Sequence, residues 1–269
     1  MTTLDQLLNT PTGRDTLDDA MAILENAIRN QPRSLQKRIG PSELGTDCIH
    51  CLAAKLAEWP TIEQAVPWTP FIGTAIHAEI ANIFNTETKT LLRSGTPPRW
   101  RVEEKVYVGM VGPHTITGTC DLYDETNGTV LDWKNTATST ITNAKAHGPK
   151  PVYRTQVHLY GLGWEHSGKP VRNVAIAYLP RTSTRLRDAY LWTEPYDRDI
   201  ALETLDRANR LYTNLTTLAS ISTETRDEWI SRQPRADRCF DCQKFHDWTP
   251  TSRLATELGY PTTTTRKAT

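Results

Sequence analysis

The sequence predicts an α/β fold in which a mixed central β-sheet is flanked by helices. Three observations carry this prediction. Apolar residues recur at helical spacing in the first third of the chain, segments rich in β-branched residues follow, and a helical segment then leads into a short apolar run. Helices, a meander of strands, a helix, further strands and closing helices are the order expected of such a layered domain.

Three helices are predicted ahead of the strands. Residues 15–30 form an apolar stripe at helical spacing, made of Leu17, Ala20, Leu24, Ala27 and Ile28. A second helix is expected to begin near Asp47, a favourable N-cap residue, and to run through Cys48 to Trp59 before Pro60. The third is predicted over about 70–85, where isoleucines recur at helical spacing: Ile72, Ile76, Ile80 and Ile83.

The pattern changes to strands after residue 100. Segments 101–108, 114–123 and 129–134 are rich in β-branched residues, and Gly112-Pro113 and Asn127-Gly128 supply the turns between them. A three-stranded meander is therefore expected. Beyond it, the sequence predicts a helix over 151–166, strands over 172–179 and 184–193, and a helix over 195–219.

Composition excludes several classes of protein. The chain has 269 residues, 38% of them hydrophobic, with 31 Lys and Arg against 31 Asp and Glu. A chain of this size buries about 70–75% of its unfolded surface, so it needs no disulfide to form a core. No apolar run approaches the roughly 20 residues of a membrane span, and the first residues do not resemble a signal peptide. We expect a cytoplasmic protein without a membrane partner.

The chain is expected to form a single domain, because it contains no internal repeat and no low-complexity linker. Its parts are a helical lead over 1–68, a core over 69–193, a C-terminal segment over 194–260 and a tail over 261–269. The absence of net charge argues against a strongly basic nucleic-acid binder. Acid-free basic segments remain at 31–38, 145–154 and 181–187, although each alone is more typical of solvated surface.

Two carboxylates and an ammonium group are predicted to meet on the meander. Asp121 lies near the end of the second predicted strand, and Asp132 and Lys134 share one face of the third, because side chains alternate along a strand. Carboxylates are the ligands that Mg²⁺ prefers, and a bound metal activates water and polarises a phosphoryl oxygen. The lysine would orient that water or neutralise developing charge. The alternative is an ordinary Asp–Lys pair near a turn, and spacing alone does not separate the two.

Four motifs together resemble one nuclease superfamily. Gly118-Thr-Cys-Asp121, followed after ten residues by Asp132-Trp-Lys134, is similar to the core motif of the PD-(D/E)XK nucleases. Gly73-Thr-Ala-Ile-His77 and Gln156-Val-His-Leu-Tyr160 resemble two helix motifs of the RecB-type nuclease domain and of the CRISPR-associated adaptation exonucleases. Glu103 stands at the acidic position of their first strand. The resemblance spans about 73–179 and implies a restriction-endonuclease-like core.

The resemblance also implies a role for each motif residue. Asp121, Asp132, the Trp133 carbonyl and His77 would hold Mg²⁺ or Mn²⁺, and Lys134 would be the catalytic lysine. Gln156, Tyr160 and Glu103 would contact DNA or support the site. Tyr153 and Arg154 belong to no motif, but they lie near the start of the predicted helix and are expected to meet the DNA backbone.

Two features of these motifs leave room for other interpretations. On an apolar helix stripe, His77 is also compatible with a buried histidine that binds no metal, although the metal-ligand interpretation is favoured. Gln156 and Tyr160 are i,i+4 neighbours on one helical face, where Tyr160 is also compatible with an ordinary core position. The chain departs from the superfamily at Cys120, which stands where a proline is common, and Cys120 is expected to be a small buried residue.

The function implied is a Mg²⁺- or Mn²⁺-dependent deoxyribonuclease, by resemblance an exonuclease, that acts on DNA ends or single strands in recombination, repair or phage DNA processing. The chain lacks the phosphate-binding motif G-x-x-x-x-G-K-[ST], so any unwinding would come from a separate helicase or recombination protein. The alternatives are a non-catalytic DNA- or partner-binding module and a redox-responsive protein.

Two C-x-x-C pairs lie far apart in the chain, Cys48 with Cys51 and Cys239 with Cys242. A reducing compartment disfavours disulfides, and four thiolates can ligate one Zn²⁺ or one [4Fe–4S] cluster. Such a site would clamp the N-terminal helices to the C-terminal segment. Two unrelated free or redox pairs are the alternative.

The nature of the metal stays open at this point. The families that the chain resembles carry one cysteine before the core and three after it as [4Fe–4S] ligands, so the resemblance favours the cluster. The arrangement here is two and two, and His50 and His246 lie nearby in sequence, which would favour zinc.

Overall fold

The computed structural model describes residues 13–31, 39–62, 66–237 and 239–245. Over these residues the helices are α1 (Gly13–Arg29), α2 (Pro41–Leu44), α3 (Ile49–Leu56), α4 (Trp68–Arg93), α5 (Thr138–His147), α6 (Pro151–His166), α7 (Arg198–Ile221) and α8 (Thr223–Ser231). The strands are β1 (Trp100–Val111), β2 (His114–Asp124), β3 (Thr129–Thr136), β4 (Asn173–Pro180) and β5 (Tyr190–Pro195). Residues 246–269, including His246 and the predicted tail, lie outside the described part.

The five strands form one mixed sheet in the order β1-β2-β3-β4-β5. Strands β1, β2 and β3 are the predicted antiparallel meander, β4 runs parallel to β3, and β5 returns antiparallel to β4. Helices α5 and α6 make the crossover that a parallel pair requires. The predicted α/β class, with a mixed sheet flanked by helices, is confirmed.

Helices cover the sheet and place two elements beside the end of β3. Helix α6 packs against β1, β2, β3 and β4, and α4 packs against β1 and β3. On α4, Phe84 contacts the rings of Trp100 and Trp133, at centroid distances of 5.2 and 5.8 Å. On α6, Trp164 stacks on Tyr123 at 4.5 Å. These contacts fix the two helices that carry the motif residues.

Several predicted boundaries differ from the structure. Helix α3 begins at Ile49 with Cys48 as its N-cap, so the prediction of Asp47 as the cap is wrong. The carbonyl of Cys48 accepts the first bond of the helix, from the Leu52 N–H, while the Cys48 N–H donates to Thr46 Oγ1. The N-cap of the helix therefore lies one residue later in the chain than predicted.

The predicted strand over 184–193 is only partly correct. A short 3₁₀ turn, Leu186–Asp188, occupies its first half, and β5 begins at Tyr190. Ser183 accepts from the Arg185 N–H and contacts the Asp188 carboxylate, and such local side-chain bonds compete with a strand ladder. Helices α5 and α8 were not anticipated by the sequence, because neither carries a strong apolar stripe.

Helix α1 forms as predicted, but most of its apolar stripe does not pack against described residues. Leu17 and Leu24 are exposed, at 61% and 47% of their surface, whereas Ile28 is buried. The isoleucine stripe of α4 is also only partly covered, since Ile83 is exposed and no residue of α4 is fully buried.

A buried histidine makes the stability of this fold depend on pH. His158 is inaccessible to solvent; its Nε2 lies 2.7 Å from Glu194 Oε1, and its Nδ1 accepts the Asp197 N–H at 3.1 Å. Burial lowers the pKa of His158 below 6.5, even though the Glu194 carboxylate opposes that change. The folded protein therefore binds a proton at His158 less readily than the unfolded chain does. The stability that the neutral His158 contributes is lost as pH falls below about 6.5.

We expect the free energy of unfolding to decrease between pH 7.5 and pH 5.5 because His158 must gain a proton. Denaturant titrations at several pH values measure this, and the His158→Gln variant should show a flatter profile. The control is His147→Gln at an exposed position. An unchanged slope in the His158 variant would show that another group titrates instead.

Candidate active site and cysteine group

Strands β2 and β3 separate at the position where the two predicted carboxylates lie. Their pairing runs from Asp124 opposite Thr129 to Leu122 opposite Leu131, and stops there. One residue further on, Asp121 Oδ2 accepts a hydrogen bond from the Trp133 N–H at 2.8 Å. The Asp121 side chain thus takes the place of a strand partner and is held beside the main chain of Trp133. That main chain carries the carbonyl assigned to metal by resemblance.

Asp132, Lys134 and Gln156 form a chain of polar contacts next to Asp121. Lys134 Nζ lies 2.7 Å from Asp132 Oδ2 and donates a hydrogen bond to Gln156 Oε1 at 2.8 Å. Gln156 in turn donates from Nε2 to the Tyr160 hydroxyl at 3.2 Å, one turn later on α6. The ammonium group of Lys134 is therefore held between a carboxylate and an amide.

His77 reaches the same place from α4. Its Nδ1 lies 3.3 Å from Asp121 Oδ1, on the carboxylate whose other oxygen accepts from Trp133. The ligand atoms of His77, Glu103 and Asp121 all lie within 4.8 Å of one another. Residues from α4, β1, β2 and β3 thus converge on one patch.

Glu103 stands in this group with a left-handed backbone. Its neighbours Val102 and Glu104 pair with Leu122 and Cys120, which puts Glu103 opposite Asp121 across β1 and β2. Its φ is +52°, a conformation that costs a non-glycine residue about 1–3 kcal/mol and that is concentrated at functional sites. The distortion interrupts the strand pairing at the point where the carboxylate joins His77 and Asp121.

The site is electrostatically unusual because its central carboxylate is buried. Burial raises the pKa of Asp132 to about 6, against the opposing effect of Lys134. For His77, burial lowers the pKa, but the hydrogen bond and charge of Asp121 outweigh it and the net direction is upward. A positive group beside Asp121 and Asp132 is thus stabilised.

The donor set fits a divalent cation. Asp132 Oδ2 is buried and accepts no hydrogen bond of regular geometry, its contact with Lys134 being an ion pair. Carboxylate oxygens are ligands suited to Mg²⁺ or Mn²⁺, whereas an imidazole nitrogen is more typical of transition-metal ions than of Mg²⁺. The residues that could hold such an ion are His77, Glu103 and Asp121, whose ligand atoms lie within 4.8 Å of one another. Asp132, a predicted ligand, is not part of that group, and its Oδ2 pairs with Lys134 Nζ instead.

Tyrosines line the sheet beside Lys134, and one of them was missed by sequence reasoning. Lys134 Nζ lies 4.7 Å from the ring centroid of Tyr153, and Tyr178 is the β4 partner of Lys134. The Tyr178 hydroxyl is buried and has no hydrogen-bond partner among described residues. In the sequence Tyr178 is one residue of an apolar run, and only the strand register shows that it adjoins Lys134.

Arg154 lies apart from this cluster. Its Nε contacts Glu194 Oε1 on β5 at 2.6 Å, next to the buried His158. Tyr153, Gln156 and Tyr160 are the α6 residues directed at the cluster, while Arg154 occupies another face of the same helix.

Residues of two acid-free basic segments contact the sheet, Arg181 at the end of β3 and Lys145 at the start of β5. Arg181 donates to Asn135 Oδ1 and to the Asn135 carbonyl, one residue after Lys134. Lys145 Nζ lies 5.9 Å from the ring centroid of Tyr190, the β5 partner of Tyr178. The third segment, 31–38, falls almost wholly outside the described residues.

The four cysteines of the C-x-x-C pairs also converge. Cys48 and Cys51 lie at the start of α3, and Cys239 and Cys242 lie at a short 3₁₀ turn near the end of the described chain. The Sγ–Sγ distances are 3.5 Å for Cys48–Cys242, 3.7 Å for Cys51–Cys239 and 3.4 Å for Cys51–Cys242. All four sulfurs lie within 4.8 Å of one another. Cys120 is buried in the main core, away from this group.

Comparisons with known proteins gave structural similarities only. No protein-family model matches the chain, and no curated protein matches it. The solved structure of SSO0001 is similar over 73% of this chain and 86% of that one, at 12% identity and a TM-score of 0.45. A phage-related exonuclease from Haemophilus somnus is similar over 67% and 95%, at 13% identity and a TM-score of 0.38.

An alkaline exonuclease from Laribacter hongkongensis is similar over 73% of this chain and 92% of that one, at 12% identity and a TM-score of 0.41. The functional interpretation therefore rests on the side chains of this protein. Among its described residues, no helix has the length and apolar character to cross a bilayer.

Proposed function

We propose that this protein is a divalent-metal-dependent deoxyribonuclease that hydrolyses DNA phosphodiester bonds. The observation that carries the proposal is the convergence of His77, Glu103 and Asp121 with the buried pair of Asp132 and Lys134. Carboxylates and an imidazole can hold a divalent ion that activates water, and a fixed ammonium group can stabilise charge on the phosphoryl group, so together they support phosphodiester hydrolysis.

Each residue has a distinct task in this proposal. His77, Glu103 and Asp121 would hold Mg²⁺ or Mn²⁺, with Asp132 and the Trp133 carbonyl as further ligands by resemblance. A bound ion of this kind supplies Lewis acidity, which activates water and neutralises charge on the phosphoryl group.

Lys134 would act directly on the reacting groups. Asp132 and Gln156 hold its Nζ in place, at 2.7 and 2.8 Å, so the ammonium group is oriented before substrate arrives. Oriented donors stabilise developing charge without reorganisation. The Gln156–Tyr160 hydrogen bond fixes the amide that orients Lys134, and Tyr153 limits where its side chain can move.

The substrate would lie along the basic face formed by Lys145 and Arg181. Both side chains are exposed, with Arg181 at Asn135 of β3 and Lys145 near Tyr190 of β5. Phosphate contacts of this kind position DNA without reading its sequence. By resemblance the reaction is exonucleolytic, on DNA ends or single strands, in recombination, repair or phage DNA processing. Any duplex unwinding would then depend on a separate helicase or recombination protein.

A nuclease assay with matched substrates tests the proposal. Labelled linear single-stranded, linear double-stranded and circular DNA are incubated with Mg²⁺, Mn²⁺, Ca²⁺ or EDTA. We expect degradation of linear DNA with Mg²⁺ or Mn²⁺, none with EDTA, and no cutting of closed circles. Cutting of circles would replace the exonuclease assignment by an endonuclease one. Binding without cleavage in every metal would overturn the enzyme and favour a DNA-binding module.

Lys134→Ala is expected to separate binding from catalysis. Loss of an oriented ammonium group should reduce the cleavage rate by about 10²-fold, whereas DNA affinity in Ca²⁺ should change little. Single-turnover cleavage and fluorescence anisotropy measure the two quantities, and Lys89→Ala, at an exposed position on α4, is the control. Equal losses of affinity and rate would assign Lys134 to substrate binding.

The double variant Lys145→Gln with Arg181→Gln should weaken DNA binding in a salt-dependent way. Each lost phosphate contact lowers the slope of log affinity against log salt by about 0.7–0.9. Affinities measured from low to moderate salt give that slope. The control is Arg210→Gln on α7, whose guanidinium pairs with Asp206. An unchanged slope would place the DNA on another face.

A further inference from the structure

The four sulfurs are spaced as ligands of one ion. In a tetrahedral site with Zn–S bonds of about 2.3 Å, neighbouring sulfurs lie about 3.8 Å apart. The distances here are 3.4, 3.5 and 3.7 Å for three of the pairs, with every pair within 4.8 Å. A disulfide would bring two sulfurs to about 2.05 Å, and all five cysteines are free thiols.

An iron–sulfur cluster requires cysteine sulfurs that lie farther apart. In a [4Fe–4S] cluster each thiolate binds a different iron, and iron and sulfide ions fill the space between the thiolates. Four sulfurs mutually within 4.8 Å leave space for a single ion only. The cluster that the resemblance implies therefore does not fit this arrangement of ligands.

We propose that Cys48, Cys51, Cys239 and Cys242 form a closed structural site for a single Zn²⁺. All four tetrahedral positions are occupied by protein sulfurs, so no position remains for water or substrate. Loading the site transfers the thiol protons to solvent and forms four zinc–thiolate bonds without any change of oxidation state. This proposal does not depend on the nuclease assignment.

His50 supplies a hydrogen-bond donor on the buried side of the group. Arg235 Nη2 lies 3.4 Å from His50 Nε2, and a guanidinium has donors only, so that nitrogen accepts and the ring proton sits on Nδ1. Nδ1 lies 3.8 Å from Cys242 Sγ and 4.0 Å from Cys51 Sγ. An N–H directed at sulfur stabilises the negative charge of a four-thiolate site, a common form of outer support for metal ligands.

The surroundings explain what the ion would hold together. Cys48, Cys51 and Cys242 belong to a small second core with Leu215, Ile230 and Phe245, separate from the main one. The C-terminal segment also contacts the N-terminal region here, through the Ile62 N–H to the Lys244 carbonyl at 2.8 Å and the His50 N–H to the Pro234 carbonyl at 3.2 Å. A cleft of about 510 Å³ reaches Cys51 and Cys239 and provides an entry path for the ion.

Elemental analysis of the full chain tests this proposal directly. The protein is expressed with zinc and iron both supplied, purified with and without oxygen, and assayed for metals, acid-labile sulfide and visible absorption. We expect zinc equimolar with the chain, no iron, no sulfide and no colour under either condition. Iron with equivalent sulfide and a brown protein would overturn the proposal, and so would a metal-free protein with titratable thiols.

Variants assign the ion to this group. Cys242→Ser should lose the zinc, whereas Cys120→Ala and Asp132→Asn should retain it, because neither belongs to the four-cysteine group. If Cys242→Ser does not fold, Co²⁺ replacement in the unmodified chain serves instead. Intense sulfur-to-cobalt absorption with tetrahedral ligand-field bands is then expected, and its absence would overturn the proposal.

Discussion

The Asp132→Asn variant is expected to lose about 10³-fold in DNA cleavage while still binding DNA. The substitution keeps the shape of the side chain but removes the negative charge, and with it a proposed ligand for the ion. It also removes the partner that holds Lys134 Nζ at 2.7 Å. Single-turnover cleavage in Mn²⁺ and anisotropy in Ca²⁺ measure the two properties, with the exposed Asp206→Asn as the matched control.

The same variant is expected to remain folded. The pKa of Asp132 is raised by burial from 3.8 to about 6, so the folded state disfavours the charged carboxylate. The resulting loss of stability develops as pH rises from about 4 to about 6 and is complete at neutral pH. Asparagine carries no charge, so thermal unfolding at pH 7 should occur at no lower temperature than in the parent. Full cleavage by a folded Asp132→Asn would remove Asp132 from the reaction.

Cys242→Ser is expected to cause the largest loss of stability, about 4 kcal/mol or more. Loss of a metal ligand belongs to the few mechanisms that destabilise by this amount, and Cys242 is a buried member of the second core. Denaturant unfolding and limited proteolysis measure the effect, and new cleavage sites should appear near residues 232–245. A zinc chelator applied to the parent protein should reproduce the same change.

The Cys120→Ala variant is the control for this prediction. Cys120 is buried in the main core and is not part of the cysteine group, so its loss should cost only the packing of one small side chain. Equal destabilisation by the two variants would show that Cys242 contributes packing rather than a metal ligand.

Local patterning predicts most of the central elements. The predicted helix over 151–166 coincides with α6, and the three predicted meander strands fall within β1, β2 and β3. These segments carry a strong period of 3.6 or 2 and are bounded by Pro or Gly, so short-range chemistry decides them. Two predictions were wrong, Asp47 as the N-cap of α3 and a continuous strand over 184–193. In both places local hydrogen bonds, to the Thr46 and Ser183 side chains, shift the point at which the regular element begins.

For the candidate site, spacing alone places Asp121 near Asp132 and puts Lys134 on the same face as Asp132. It does not place His77, which comes from a helix before the sheet, or Tyr178, which adjoins Lys134 only through strand register. The position of Arg154 near the start of the predicted helix suggested a DNA contact, but its guanidinium is directed to Glu194. Helical spacing does not specify which face of α6 meets the sheet.

The amino-acid sequence by itself determined the layered α/β class, the order of the strands along the chain and the identity of the polar residues at the end of β3. These follow from periodicity and turn chemistry, which act over a few residues. Only the tertiary structure shows that Glu103 adopts a left-handed backbone conformation beside His77. It alone also shows that the four cysteine sulfurs are spaced for one ion. Both depend on distances between segments far apart in the chain, and such distances are set by packing.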